Sequence, residues 1–277
     1  MIIKNEAKAV TLSDVRFSYA RRNALADISF EVYRGSYYGI VGPNGSGKTT
    51  LAYIIARILA PQKGHVDTQG LKVGLVLSNP ENQVVSLLVE EDIAFGPENL
   101  GLASDQIRQR IEDALKITRS ENLRHSLTSA LSGGQLSQIV FSGQLAMDVD
   151  ILVLDEGTVM LDPANRASLL DTIRSLNNNY GKTIIHISHR LDDLETADTI
   201  MCMKEGRVIH TAVDVLDLTD DLITGNVVIP GVEPGAKILY KNFLRQMQLD
   251  SDNLERSSRE LAGRMVGSNI NRTGERR

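Results

Sequence analysis

Apolar positions in the first 220 or so residues switch between two periods, and the switching predicts the architecture. Short β-rich runs come first, over 9–12, 15–19, 28–33 and 38–41, separated by Asp, Asn and Gly. They predict strands, with antiparallel hairpins grouped around the last of them. A helix is expected over about 48–59. Beyond Pro61 and Gly64, short strands follow near 64–67 and 73–77. Helical spacing marks 103–117, 134–147 and 164–176. Ile151-Leu152-Val153-Leu154 is instead apolar without a break, the pattern of a parallel strand buried on both faces. Strands over 183–187, 200–203 and 208–210 complete the series. Strands alternating with helices predict an α/β domain with a mainly parallel core sheet, preceded by an antiparallel β part.

The pattern changes near Leu222. Residues 225–235 are rich in Gly and Pro and read as a linker, after which 238–249 and 253–265 could each form an amphipathic helix. The chain ends Arg276-Arg277 in what reads as a frayed tail. The expected organisation is one domain over 1–222 and a small C-terminal extension over 223–277, a possible dimerisation element.

Composition narrows the function classes. With 277 residues, 42% hydrophobic and 23% charged, the chain reads as soluble and globular. A net charge of −5 argues against a nucleic-acid binder that works by bulk basicity. The single cysteine, Cys202, lies in the apolar run Thr199-Ile200-Met201-Cys202-Met203 and reads as a buried, inert thiol. No apolar stretch approaches the ~18 residues that span a bilayer. Asn5 and Glu6 come too early for a secretory signal. A membrane role is therefore expected only through partners.

Candidate chemistry sits at three places. Gly42-Pro43-Asn44-Gly45-Ser46-Gly47-Lys48-Thr49 matches G-x-x-x-x-G-K-[ST] between a strand and a helix, the context this phosphate loop requires. Its backbone N–H groups are expected to wrap phosphates, Lys48 to reach the β and γ oxygens, and the Thr49 hydroxyl to ligate Mg²⁺. Leu131-Ser132-Gly133-Gly134-Gln135 opens a second predicted helix. Its adjacent glycines, its serine hydroxyl and the helix N-terminus suit an anion. Because the chain already has a complete phosphate loop, this second element is expected to serve a nucleotide held by another subunit. About twenty residues later, Asp155 and Glu156 end the apolar strand. Asp155 is expected to hold Mg²⁺, and Glu156 to orient or deprotonate the attacking water.

Phosphate loop, signature loop, carboxylate pair and a late histidine, in that order over some 220 residues, resemble an ATP-binding cassette (ABC) ATPase. The resemblance implies an ABC-type P-loop fold with a helical signature subdomain over about 80–147. It extends the ATP-binding set to Thr50 and to Tyr19, which would stack on adenine. Read alone, Tyr19 is a half-buried strand residue. The resemblance also makes His189 a switch residue for the γ-phosphate and Asp162 part of an inter-subunit loop. By itself Asp162 is a helix N-cap before Pro163, and His186, within its strand, reads as structural.

Asn79-Pro80-Glu81-Asn82-Gln83, with the stretch from Glu90 to Asn99, is similar to the ATPase components of energy-coupling factor transporters. That narrower resemblance implies import of a vitamin or transition-metal ion. It also implies a second cassette subunit, a transmembrane coupling protein docked on a groove around 84–99, a substrate-capture membrane protein, and a place on the cytoplasmic face of the membrane. The chain departs from the pattern at Ser78, where a glutamine is usual, and at Leu136-Ser137-Gln138, which lacks the usual arginine. Gly157-Thr158-Val159-Met160 and Arg190 depart as well. These departures suggest one member of an unequal pair that binds ATP but hydrolyses it slowly at its own site, or a regulatory subunit. Losing one preorganised polar group lowers a rate by ~10²–10³.

Overall fold

The computed structural model describes residues 7–20, 22–157, 161–213 and 217–218. The expected linker, the two C-terminal helices and the tail lie outside the described residues. So do Thr158, Val159 and Met160.

Strands β1 (Lys8–Tyr19), β2 (Arg22–Tyr33) and β4 (Lys63–Asp67) form an antiparallel sheet in the order β2-β1-β4. The two apolar runs over 9–12 and 15–19 are one strand, not two. Register shifts between Leu12 and Val15, where Asp14 turns to a φ of 50° and its N–H bonds the Ser29 hydroxyl at 2.8 Å. A bulge of this kind bends a strand without ending it.

Six strands make the core sheet in the order β5 (Val73–Val76), β6 (Ile151–Asp155), β7 (Thr183–Ile187), β3 (Tyr37–Val41), β8 (Thr199–Lys204), β9 (Arg207–Ala212). All its pairings are parallel except β8–β9. This corrects the expected hairpin grouping. The strand at 38–41 lies in the middle of the parallel sheet, and the one near 64–67 belongs to the antiparallel sheet.

Helix α1 (Lys48–Ile55) stops four residues earlier than its apolar spacing suggests. Arg57 adopts a φ of 58°, its N–H bonds the Ile54 carbonyl, and the Ile58 N–H bonds that of Tyr53. This is a Schellman end with Arg in the usual glycine place. Helix α5 (Pro163–Tyr180) has a capped start at Asp162 and a left-handed Gly181 just past its end. Helices α2 (Val89–Asn99), α3 (Ser104–Thr118) and α4 (Gly133–Ala146) share a separate core of Val89, Ile93, Ile111, Leu115 and Ile139. Among the described residues, no helix is long and apolar enough to cross a membrane.

Candidate functional site

Three adjacent parallel strands, β6, β7 and β3, direct their carboxyl ends to one edge of the sheet. Asp155 ends β6, Ser188 and His189 follow β7, and the phosphate loop follows β3. Open α/β sheets bind ligands at such an edge.

The loop's shape follows from its glycines and its neighbours. Gly47 has a φ of 102°, and a methyl group there would lie 2.4 Å from the Ala24 carbonyl oxygen. Only glycine fits. Gly206 fixes the loop from outside, its N–H bonding the Ser46 carbonyl and its carbonyl accepting from Ala26. Lys48 is buried, and its Nζ donates to the carbonyls of Gly42 (2.8 Å) and Pro43 (3.1 Å). The Ser46 hydroxyl is buried without a hydrogen-bond partner.

A cleft of about 360 Å³ opens over this loop. It is lined by Tyr19, Asn44, Gly45, Gly47, Lys48, Thr49, Thr50, Ser78, Asp155 and Glu156, and by Arg22 and Ala24, which the sequence did not single out. Burial pushes the Lys48 ammonium below its usual range, against the opposing pull of Glu156 and Asp155. Burial pushes the Asp155 carboxyl up, while a hydrogen bond from the Thr49 side chain holds it down. The two expected metal ligands are thus already joined. Glu156 sits at a φ of 56°, costly for a non-glycine residue, and its N–H is pinned to the Ile187 carbonyl at 3.0 Å. Tyr19 is 49% exposed at the rim and packs edge-on against Phe17.

The other expected residues do not line this cleft. Ser132 and Gly133 are exposed at the start of α4. Ser132 forms a reciprocal cap with Gln135, the Gln135 N–H donating to the Ser132 hydroxyl (3.3 Å) and the Ser132 N–H to the Gln135 side chain (2.9 Å). Beyond its chain neighbours and its own helix backbone, no atom of the described residues would lie within 4 Å of a methyl group on Gly133. Gly134 is buried, and a methyl group on it would meet Asn165 at 3.0 Å and Leu161 at 3.4 Å. The signature helix therefore packs on the loop that carries Asp162. Asp162 itself caps α5, accepting from the N–H groups of Ala164 (3.0 Å) and Asn165 (3.2 Å).

His189 is half-buried above a polar cluster that is almost wholly enclosed. Asp193 accepts from the Ser188 hydroxyl (2.7 Å) and from Arg166 Nε (2.7 Å). The Tyr37 hydroxyl donates to the Asp193 carbonyl at 3.1 Å and lies 2.8 Å from His186 Nδ1. Burial drives His186 down to about 4, so it is neutral and part of the framework.

Gln83 does not stand in for the missing glutamine at position 78. Its side chain accepts from the Leu77 N–H (2.6 Å) and donates to the Leu75 carbonyl (2.8 Å), both at the end of β5. It also borders a second cleft of about 370 Å³ between α2 and α4, with Val85, Phe95, Leu100, Val140 and Met147. Val85, Phe95 and Leu100 are each about half exposed there.

The ABC transporter family matches residues 25–159. The energy-coupling factor transporter ATP-binding protein EcfA1 of Symbiobacterium thermophilum is 43% identical over 200 residues, covering 68% of this chain and 70% of the relative. EcfA1 of Streptococcus pyogenes serotype M5 is 36% identical over 267 residues, 87% of this chain and 95% of the relative. Among solved structures, cbiO1 from Clostridium perfringens, part of the ABC transporter complex cbiONQ, superposes with a TM-score of 0.71 at 28% identity. That match covers 92% of this chain and all of that one.

Proposed function

The chain belongs to the ABC ATPases, among the energy-coupling factor transporter ATP-binding proteins, and from that premise we propose that it powers import of a vitamin or a transition-metal ion. Its ATP is held between its own phosphate loop and the signature loop of a second cassette subunit, a paralogue. The observation that carries this reading is the single cleft that gathers Tyr19, Lys48, Thr49, Asp155 and Glu156.

In this reading Tyr19 stacks on adenine, and the loop from Gly42 to Thr50 wraps the phosphates. Lys48, held by two carbonyls in a desolvated place, keeps its charge aimed at the β and γ oxygens. Thr49 and Asp155, already hydrogen-bonded, are the pair that would hold Mg²⁺, whose chemistry is charge neutralisation between the phosphates. Glu156 orients the attacking water and accepts its proton. His189, rising from the Ser188–Asp193 cluster, contacts the γ-phosphate. Asp162, the outward-facing Ser132 and Gly133, and with them Gly134 and Gln135, complete the partner's site. ATP binding closes the pair, and loss of the γ-phosphate reopens it.

The cleft between α2 and α4 receives a helix of the transmembrane coupling protein, which places the chain on the cytoplasmic face of the membrane beside a substrate-capture protein. Its half-exposed Val85, Phe95 and Leu100 support that role.

A second reading has a specific observation behind it. With Ser78 in the cleft and Gln83 tied to β5, Asn44 of the loop itself is, among the described residues, the one amide side chain that lines the cleft. That favours slow hydrolysis at this chain's own site within an unequal pair, with a regulatory weight to its ATP binding. Glu156→Gln in the purified membrane complex separates the two. A fall of about 100-fold or more in ATP turnover supports an active site here. Unchanged turnover and transport support the regulatory subunit. Recovery of the chain free of any multi-span membrane protein would remove the transport reading.

A further inference from the structure

Arg22 lines the same cleft as Asp155 and Glu156, and nothing in the described residues pairs with it. It is the first residue of β2 and lies directly across the β1–β2 ladder from Tyr19. Its guanidinium reaches over the phosphate loop, so that a methyl group on Gly45 would lie 2.8 Å from Nη2. Among the described residues, that guanidinium has neither a hydrogen bond nor an ion pair. Other arginines nearby are paired, Arg16 of the same sheet and Arg207 of β9 both with Asp27. Lys48, the other cation of the cleft, has Asp155 and Glu156 beside it and two carbonyls on its Nζ.

We propose that Arg22 is a second phosphate-binding cation of the nucleotide cleft, gripping the phosphate chain from the Tyr19 side while Lys48 grips it from within. Three features converge on an anion of this class. The guanidinium is planar and always charged, and its paired donors match phosphate oxygens. It sits over a loop whose free N–H groups already favour phosphate. Its placement on the hairpin that carries Tyr19 ties phosphate binding to the residue expected under the base, so the two ends of one nucleotide would order the same turn.

The inference rests on reading the cleft as a nucleotide site, and the test separates the two. Binding of ATP and of inorganic tripolyphosphate, which has neither base nor sugar, is measured by calorimetry on the full chain with Mg²⁺ present. Arg22→Gln is expected to weaken both ligands by a similar factor, about tenfold, with Arg22→Lys in between. Arg22 has no side-chain partner to lose, so its replacement leaves the fold intact. If Arg22→Gln leaves ATP affinity within twofold, or weakens ATP but not tripolyphosphate, the proposal is wrong. Lys48→Ala serves as the reference. Unchanged ATP affinity in that variant would overturn the nucleotide site itself, and Arg22 with it.

Discussion

The phosphate loop and the signature loop are both glycine-rich turns that lead into helices, yet they are built in opposite ways. Around the phosphate loop, Lys48 is desolvated, Thr49 is bonded to Asp155, and Ser46 keeps a buried hydroxyl without a partner. The chain supplies both the cradle and the walls. At the signature loop, Ser132 and Gln135 satisfy each other and Gly133 faces open space. The helix N-terminus is formed and anchored through Gly134, but among the described residues no wall stands opposite it. In the proposed reading one element is a nearly complete site, and the other is a surface completed by a second subunit. The difference fits the proposed pairing with a second cassette subunit.

The largest expected effect falls on the complete site. Lys48→Ala should lower ATP turnover of the assembled complex by about 100-fold or more, since it removes a preorganised charge where negative charge develops. Equal loss from any signature-loop variant in the isolated chain would erase the contrast. Next in size, Tyr19→Ala should weaken ATP binding by roughly tenfold, because stacking on an aromatic ring contributes ~1–3 kcal/mol. Its affinity for tripolyphosphate should stay within twofold, which distinguishes it from Arg22→Gln by the same calorimetry.

A smaller gain is expected from Ser78→Gln. Restoring a long amide beside Glu156 should raise steady-state hydrolysis of the complex about threefold to tenfold, read by phosphate release. No rise would show that Ser78 does not limit the rate at this site. Smallest of all, Asp162→Ala removes two N-cap bonds from α5 and should cost about 1 kcal/mol of stability in urea unfolding. ATP affinity of the isolated chain should be unchanged.

Much of this contrast was legible in the residues because its signals are local. The G-x-x-x-x-G-K-T spacing needs a strand before it and a helix after it, and β3 and α1 supply both. The apolar run at 151–154 became a strand buried along its whole length. The cap geometry of Ser132 and Gln135 follows from their three-residue spacing. What escaped depends on contacts distant in sequence. The strand near 64–67 joins the antiparallel sheet because β1 pairs with it across some fifty residues, which no short window shows. Helix α2 carries three acidic residues in its first turn and an internal Pro97. Its apolar face is narrow, so periodicity does not announce a helix there. Arg22 looks like any hairpin arginine until the loop folds beneath it. Gln83 stands close enough to the altered position 78 to invite substitution, and only its bonds to Leu75 and Leu77 show that it is engaged elsewhere.

The division of labour between the two loops is tested most directly by Gly133→Asp, which adds a negative charge where an open surface should meet the partner's nucleotide. With open space around the added carbon among the described residues, the variant should fold normally. Its ATP affinity as an isolated chain should stay within twofold of the unaltered protein, while ATP turnover in the membrane complex falls by about 100-fold. A loss of ATP affinity in the isolated chain comparable to that of Lys48→Ala, or full turnover in the complex, would contradict that division of labour.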